Sequence, residues 1–358
     1  MSIYTDGRLK RVMARFIDLQ SREAYLSDRF TYLGDASAGS YDVPSIAASV
    51  IGTTRVRSAP GVDTLTPNNM PLNQEPALKS LLPHRDPESL LEGNYFEALA
   101  EQKFFEIRNE VDTDLADQLW KVSAAAAAGS NAVANDGGNV QNAALASLTL
   151  KMVGDAEADL VANGYQRSRF MWALSPKAFA AFRTLSDVVP SFSRAEMADL
   201  GVPNASAFMT VHGIPCIETP GLPNSISVAG TATQEADDEV ITATVTAGHG
   251  LQTGMVGTIT GATIADTTAS AFTVNAAGTT VTTVGNAIGA DISSEAVTLL
   301  VDAGVAVLFD RTKAFYGGDL VPSVRVVPDS ESISDVLQIG IKYGRYVYEG
   351  ASRVLLVP

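Results

Sequence analysis

Apolar residues return at helical spacing over one long stretch of the chain, residues 86–122. Side chains three or four positions apart lie on the same face of an α-helix, so this spacing predicts a long amphipathic helix. Pro87 follows Asp86 at its start, where the fixed φ of proline and the helix dipole favour these two residue types. The apolar positions are Leu99, Phe104, Ile107, Val111, Leu115, Leu119 and Val122.

The same stretch is strongly acidic. Ten acidic residues lie between Asp86 and Asp117, and the basic residues within these bounds are Lys103 and Arg108. A run of charge along a helix is typical of a solvated face. We therefore interpret these carboxylates as a negative solvent face and not as a catalytic set.

Three further stretches have helical patterns. Residues 8–31 are expected to form an amphipathic N-terminal helix, which is either a packed surface helix or an arm that binds a partner. A second helix is predicted to begin near Asn139, after a linker of small residues, and a short one covers 177–185. The apolar positions are Leu9, Val12, Met13, Phe16 and Ile17 in the first helix, and Ala144, Leu148, Met152 and Leu160 in the second.

Extended structure is predicted elsewhere. Residues 40–84 combine short β-branched runs with prolines, which end helices and cannot donate to a central ladder, so we expect strands joined by a long loop. A loop of this length usually serves a function or reaches a neighbour. A buried strand is predicted in 169–176, and 208–223 is predicted to hold a strand and a Gly-Pro turn that carries Cys216. The prolines are Pro44, Pro60, Pro67, Pro71 and Pro76.

The stretch from Ser225 to Ser294 differs from its surroundings. It is rich in threonine, and no lysine or arginine occurs between Arg194 and Arg311. Runs of strand length alternate with turns that contain Gly and Asn, which is typical of a small antiparallel sandwich or barrel. We interpret 225–294 as an inserted all-β module, after which the core resumes at 296.

Composition limits the function classes. With 40 acidic against 25 basic residues the net charge is −15. Affinity for nucleic acid comes mainly from Lys and Arg that displace counterions, so we expect only weak contact with DNA. No signal-peptide core occurs, and no apolar run of about 18 residues. We expect a soluble protein, made in the cytoplasm, that does not enter a membrane.

Candidate chemistry is sparse. Cys216 is the single cysteine, which excludes an intrachain disulfide and a cysteine-rich zinc site. His212 lies four positions before it, but Gly213 and Pro215 prevent the helix that would align the two side chains. A metal or thiol role for this pair is not expected.

The remaining candidates also have structural explanations. His84 precedes the long helix and His249 lies in a glycine-rich turn, and neither has a second histidine or a cysteine nearby in the sequence. Trp120 and Trp172 occur in apolar patterns, as core aromatics do. We therefore predict no catalytic residue, no cofactor-binding residue and no metal site, and expect that the protein is not an enzyme.

The order of elements resembles the major capsid proteins of tailed bacteriophages, which have the Hong Kong 97 capsid fold. Residues 40–74 resemble the extended loop of that family, and 86–127 resemble its long spine helix running into an alanine-rich end. Residues 143–185 are similar to the helix, strand and helix of its peripheral and axial domains. Residues 208–223 resemble its axial strand and loop, and 336–358 its closing peripheral strands.

The resemblance implies an α+β subunit of Hong Kong 97 type with an inserted small all-β domain. Its parts would be an N-terminal arm (1–39), an extended loop (40–84), the spine helix and peripheral domain (85–165), a first part of the axial domain (166–224), the inserted β domain (225–294), a second axial part (295–325) and the closing peripheral strands (326–358).

The function that the resemblance implies is a major capsid protein. Such a subunit assembles as hexamers and pentamers into an icosahedral shell around double-stranded DNA and is located in the virion. The 40–84 loop would lie across a neighbouring subunit, the N-terminal arm beneath or beside another, and the module on the outside of the shell. Further partners would be a portal and, as an optional addition, a decoration protein.

Two departures from family patterns change the expectations. Some members carry an N-terminal scaffolding segment, whereas here the long helix starts near residue 86, so a separate scaffolding protein is expected. Some members form covalent crosslinks through a loop lysine, but no lysine occurs between Lys10 and Lys79, so a crosslink at the loop tip is not expected.

Two alternatives stay open at this point. An encapsulin-type shell shares the fold and encloses cargo enzymes. A tail or attachment protein built around the β module would form tubes or fibres.

Overall fold

A computed structural model describes most of the 358 residues. Helices and strands are mixed along the chain, as an α+β fold requires. The α-helices are residues 12–19 (α1), Tyr95–Trp120 (α2), Leu150–Ala162 (α3) and Pro176–Phe182 (α4). The described residues are 12–19, 25–35, 37, 39–46, 65–72, 77–82, 95–120, 140–141, 148–185, 188–190, 208–246, 250–251, 253–275, 278–286, 289–328, 335–348 and 350–358.

The long helix α2 has 26 residues and buries the predicted apolar face. The ring of Phe16 in α1 lies 4.8 Å from the ring of Phe104, so α1 packs against the first half of α2. The predicted residues 86–94 and 121–122 lie outside the described part of the chain. The buried side chains of the predicted face are Phe104, Ile107, Val111, Leu115 and Leu119.

The predicted helix over 8–31 is wrong from residue 25 onwards, while 8–11 and 20–24 lie outside the described residues. Tyr25 is extended, Leu26–Arg29 is a 3-10 turn, and Thr31–Tyr32 is a strand, β1. The side chain of Asp28 accepts a hydrogen bond from the Tyr25 N–H over 3.3 Å. Local side-chain bonds of this kind compete with helix continuation.

The helix predicted from Asn139 begins only at Leu150. Thr149 caps it, because its hydroxyl accepts a hydrogen bond from the Met152 N–H. Upstream, Val140–Gln141 is a short strand, β5. The predicted helix is therefore too long at its N-terminal end, and Ala144 of its predicted apolar face lies outside the described residues.

Seven strands form a mixed central sheet that is covered on both faces. Neighbouring residues of a strand point to opposite faces, so Trp172 packs with α3 and α4 while Met171 faces the cluster that contains α2. The strands, in spatial order, are β5, β22 (Ser352–Val357), β17 (Gly304–Asp310), β6 (Phe170–Leu174), β9 (Ile214–Glu218), β8 (Phe208–Val211) and β7 (Val188–Pro190).

The closing strand β22 lies in this central sheet, beside the strands that the sequence analysis assigned to the axial domain, and not with the peripheral strands of 326–358. All its residues are buried, and Gly304 of β17 is opposite Val357. A strand without a polar face needs cover on both sides. The cluster around α2 and the helices α3 and α4 provide that cover here.

The turn before Cys216 also differs from the prediction. Strands β8 and β9 are joined at His212 and Gly213, which both have positive φ, 51° and 76°. Positive φ at both central residues is the requirement of a two-residue type I′ hairpin. Pro215 lies in β9, opposite Thr210, and is not part of the turn.

The described residues also form three smaller sheets. In the predicted extended loop, Ser40–Ile46 pairs antiparallel with Leu65–Pro71, and residues 47–64 between them in the sequence lie outside the described residues. The first sheet is β1, β18 (Ala314–Gly318) and β21 (Tyr343–Val347); the second is β19 (Ser323–Pro328), β20 (Asp335–Gly340) and β4 (Ala77–Leu82); the third is β2 (Ser40–Ile46) and β3 (Leu65–Pro71).

A second seven-stranded sheet spans residues 226–301, which we call the β module. Every pairing in it is antiparallel. Its two edge strands are consecutive in the chain and meet at buried Phe272, so the sheet curls into a barrel. The strands, in spatial order, are β13 (Ala265–Ala271), β12 (Val256–Thr260), β16 (Ile292–Val301), β10 (Ile226–Gln234), β11 (Val240–Val245), β15 (Thr280–Val284) and β14 (Thr273–Val274).

The module extends past residue 294, where the sequence analysis ended it. Strand β16 pairs with β10 along most of its length, up to Val301 opposite Ile226. Val297, Leu299 and Val301 are buried while the residues between them are exposed. This alternation belongs to a barrel strand with one wet face, so the central sheet resumes only at Gly304.

Candidate functional site

The sequence candidate His212 lies in a polar network on the surface of the central domain. Its Nδ1 lies 2.9 Å from Oε1 of buried Glu157 in α3, and Oε2 of Glu157 lies 3.1 Å from the Arg167 guanidinium. Arg167 also donates a hydrogen bond to the His212 carbonyl over 2.7 Å. The network fastens the β8–β9 turn to α3 and has no nucleophile in it.

Cys216 lies in β9 and is buried. It takes no part in the hydrogen bonds of Glu157, Arg167 and His212 described above. Burial raises the pKa of its thiol far above the ordinary value, which disfavours the reactive thiolate. Among the described residues, no group of three His, Cys, Asp or Glu side chains could hold a metal ion. In the same part of the chain, no helix has both the length and the apolar character needed to span a bilayer. His84 and His249 lie outside the described residues.

Both tryptophans are core aromatics, as predicted. Trp172 is fully buried, with its ring 5.2 Å from that of Phe182. Trp120 is buried at the end of α2 and donates a hydrogen bond to Asp117. Neither ring is available as a stacking platform.

Arg108, at the middle of α2, is a charged residue inside the core. Its side chain is fully buried, with a relative exposure of 0%. The guanidinium donates to Ser27 Oγ over 2.6 Å and to the Leu320 carbonyl over 3.3 Å. It also lies 4.2 Å above the ring of Tyr25, at cation–π distance. Arg108 thus joins three segments that are distant in the sequence.

Asp112 lies one turn further along α2 and is also buried. Its Oδ2 accepts a hydrogen bond from the Leu26 N–H over 3.1 Å. Burial raises the pKa of its carboxyl to about 6, although Arg108 and the Leu26 N–H act in the opposite direction. The loop after β9 presses on the same point, because a Cβ on Gly221 would lie 2.6 Å from the Asp112 carbonyl oxygen.

A second acidic residue of α2 holds the small sheet of β1, β18 and β21. Asp114 accepts a hydrogen bond from the Tyr343 hydroxyl and pairs with Arg345, both over 2.7 Å. Burial nevertheless raises the pKa of Asp114 from its ordinary value. The expectation that the carboxylates of α2 form a solvated face is therefore wrong for Asp112 and Asp114, because neighbouring segments cover this part of the helix and bond to it.

We call Tyr25, Leu26, Ser27, Arg108 and Asp112 the helix junction. It ties the N-terminal segment to the middle of α2 through the bonds of Asp112 to the Leu26 N–H and of Arg108 to Ser27. Sequence reasoning missed it, although one signal was present. Arg108 and Asp112 are four apart, within the same three-to-four spacing as the apolar face of α2, where charged residues need partners when they are buried.

The β module is held at its base by α4. The backbone N–H of Lys177 donates to Asn224 Oδ1 over 2.7 Å, and its Nζ lies 2.9 Å from Asp302 Oδ1. The Val305 N–H donates to the Pro223 carbonyl over 3.1 Å. The two connections of the module therefore lie side by side at one point of the central domain.

Sequence comparison gives no relative: no family model and no curated protein matches the chain. Solved structures do match. The capsid of Ralstonia phage GP4 superposes with a TM-score of 0.51 at 10% identity, covering 94% of this chain and 91% of that one. The capsid of an empty GTA particle gives a TM-score of 0.48 at 12% identity, covering 93% of this chain and 90% of that one. A virus-like particle from Pyrococcus furiosus gives 0.45 at 8% identity, covering 98% of both chains.

The similarity to the GP4 capsid extends over nearly the whole of both chains. It shows that this chain has a mixed α+β fold of the Hong Kong 97 capsid type.

Proposed function

We propose that this chain is a major capsid protein, which assembles as hexamers and pentamers into an icosahedral shell around double-stranded DNA. The observation that carries the proposal is the fold shared with the capsid of Ralstonia phage GP4 over 94% of this chain. A match of this extent is not confined to one part of either chain, since it covers 94% of this chain and 91% of the other.

The described elements suit a shell subunit. Helix α2 forms a long rigid axis that the helix junction braces from the N-terminal side. The β2–β3 ribbon belongs to the 40–84 loop, which we propose lies across a neighbouring subunit. Contacts between neighbouring subunits would hold the shell together, because a chain with a net charge of −15 binds DNA only weakly.

The proposal includes the position of the β module. It carries seven acidic residues and neither lysine nor arginine, so it is unsuited to a surface that faces packed DNA phosphates. We place it on the outside of the shell, where a decoration protein could bind. A separate scaffolding protein and a portal complete the proposed partners, as shells of this fold type imply.

Coexpression with the scaffolding protein of the same virus tests the proposal. Negative-stain images and particle mass should give closed shells of uniform diameter, and particles from infected cells should contain DNA. A chain that stays monomeric with the scaffold present would contradict the proposal. Particles that hold a protein cargo and no DNA would favour the nanocompartment alternative, and tubes or fibres would favour a tail protein.

A further inference from the structure

The base of the β2–β3 ribbon rests on the sheet of β1, β18 and β21. Tyr41 and Met70 are directly opposite each other in the ribbon, so their side chains point to the same face. Gly317 of β18 and Gly344 of β21 are likewise directly opposite each other in the sheet. A Cβ on Gly317 would lie 2.8 Å from Cδ2 of Tyr41 and 2.9 Å from Cε of Met70. Two large side chains of the ribbon therefore fill the space that a side chain at Gly317 would need.

Gly344 lies against the backbone of the ribbon. A Cβ at this position would lie 2.5 Å from the Pro71 carbonyl oxygen and 2.8 Å from Cδ2 of Leu72, closer than a Cβ approaches another heavy atom in proteins. Neither Gly317 nor Gly344 has a positive φ. Both positions therefore need glycine for the close approach and not for their backbone conformation. We call Gly317 and Gly344 the glycine socket.

The two faces of the ribbon differ. Asp42 and Asn69, which are directly opposite each other on the outer face, are exposed. The inner face packs with the sheet in one buried apolar cluster. Burial of this face holds the base of the ribbon against its own subunit, while the outer face stays open. The buried members of the cluster are Val43, Met70, Leu72 and Phe315.

The sheet beneath the ribbon is itself fastened to α2. Tyr343 points to the face opposite to that of Gly344, and its hydroxyl donates a hydrogen bond to Asp114 of α2 over 2.7 Å. On the ribbon side, the Tyr41 hydroxyl donates to the Asp35 carbonyl over 2.7 Å, which ties β2 to the segment that follows β1. The ribbon, the sheet and α2 are therefore three successive layers, and the glycine socket relates the direction of the ribbon to the axis of α2.

We propose that the glycine socket fixes the direction in which the 40–84 loop leaves the subunit, so that the loop is oriented before it meets a second copy of this chain. Gly317 and Gly344 are positioning residues, because they act through the ribbon that they admit. An element that is already oriented loses less conformational freedom on binding than one that swings freely. The proposal rests on the proposed function in one respect, namely that the loop lies across a neighbouring subunit.

Amide hydrogen exchange of the unassembled full chain tests whether the socket holds the ribbon. Gly344→Ala acts from the sheet side and Tyr41→Ala from the ribbon side, and both should release the ribbon. An isolated two-stranded ribbon is marginally stable in water, so exchange in 40–46 and 65–71 should become about tenfold faster. Exchange in the central strands β6 and β17 should stay unchanged. The matched control Asn69→Ala, on the outer face of the ribbon, should change exchange less than about twofold.

Coexpression with the scaffolding protein tests the effect of the socket on the shell. Gly344→Ala and Tyr41→Ala should lower the yield of closed shells of the wild-type diameter about tenfold, because the loop no longer meets its neighbour in a fixed direction. Gly289→Ala, where a Cβ meets no atom within 4 Å, should assemble like the wild type.

Two results would overturn the proposal. One is unchanged exchange in the ribbon of both variants, or an increase of the same size in β6 and β17, which would mean general destabilisation. The other is the wild-type yield and diameter of shells from a variant whose ribbon has been released. A wild type that fails to assemble would contradict the proposed function, and the exchange measurement would then decide on the glycine socket by itself.

Discussion

Asp112→Asn is expected to remove a pH dependence from the stability of the subunit. The carboxyl has a pKa of about 6 in the folded chain, because burial outweighs the attraction of Arg108. In the unfolded chain its pKa is about 4. As the pH rises, the carboxyl of Asp112 therefore loses its proton at a lower pH in the unfolded chain than in the folded chain. As pH rises from about 4 through 6, the free energy of unfolding falls, and the contribution of this group is constant above about pH 7.

The size of the effect follows from the two pKa values. One pKa unit corresponds to about 1.4 kcal/mol, so ionised Asp112 destabilises the fold by about 3 kcal/mol at neutral pH. Asparagine is neutral and its carbonyl can accept the Leu26 N–H. Its NH2 group would take the place of Asp112 Oδ1, which has no hydrogen-bond partner among the described residues. A buried NH2 group without an acceptor costs about 1–2 kcal/mol. We expect Asp112→Asn to be about 1–2 kcal/mol more stable than the wild type at pH 7.

Urea unfolding between pH 4.5 and 7.5, followed by the fluorescence of Trp120 and Trp172, measures this. The wild type should lose stability across the window and the variant should show a flatter profile. Asp155→Asn, at an exposed carboxyl of α3, controls for the loss of one charge. A variant with the wild-type pH profile, or one that is several kcal/mol less stable at pH 7, would refute the reasoning. The second result would mean that Arg108 stabilises the ionised carboxylate.

Further substitutions and one deletion test other contacts. Arg108→Met removes the hydrogen bonds to Ser27 and Leu320 and should lower the free energy of unfolding by about 3 kcal/mol. Amide hydrogen exchange at residues 25–30 should become faster. The control Arg183→Met, at an exposed site, should have little effect on either measurement. Gly221→Ala places a Cβ 2.6 Å from the Asp112 carbonyl oxygen and should lower the urea midpoint by the equivalent of about 2 kcal/mol. Gly289→Ala meets no atom within 4 Å and should change stability by less than about 0.5 kcal/mol. Replacing residues 226–301 by a short Gly-Ser linker should leave a folded subunit by circular dichroism and cooperative melting, because Pro223 and Val305 are already hydrogen-bonded; an aggregated product would show that the module is required for the fold.

The fold was predictable where the spacing or the composition of an element indicates which of its residues are buried. The apolar face of α2 and the buried strand β6 follow from spacing and composition alone. The β module was recognisable because its threonine-rich strands alternate and its turns contain Gly and Asn. Its end was misplaced because β16 continues without a turn signal from the barrel to residue Val301, three residues before the central sheet.

Contacts between distant segments were not predictable in the same way. Nothing in the sequence around Ser27 indicates that it meets Arg108, 81 positions later. The acidic residues of α2 looked alike along the helix, and only the packing of the N-terminal segment and of β21 distinguishes Asp112 and Asp114 from the rest. The place of β22 in the central sheet was missed for the same reason, since the apolar run at its end, residues 354–357, does not indicate which layers cover it.

Electron cryo-microscopy of particles assembled with the scaffolding protein tests the central claim most directly. The account predicts closed icosahedral shells in which hexamers and pentamers of this chain are built around α2, with residues 226–301 on the outer surface. A monomeric chain, a tubular assembly, or a shell with the β module facing the interior would contradict it.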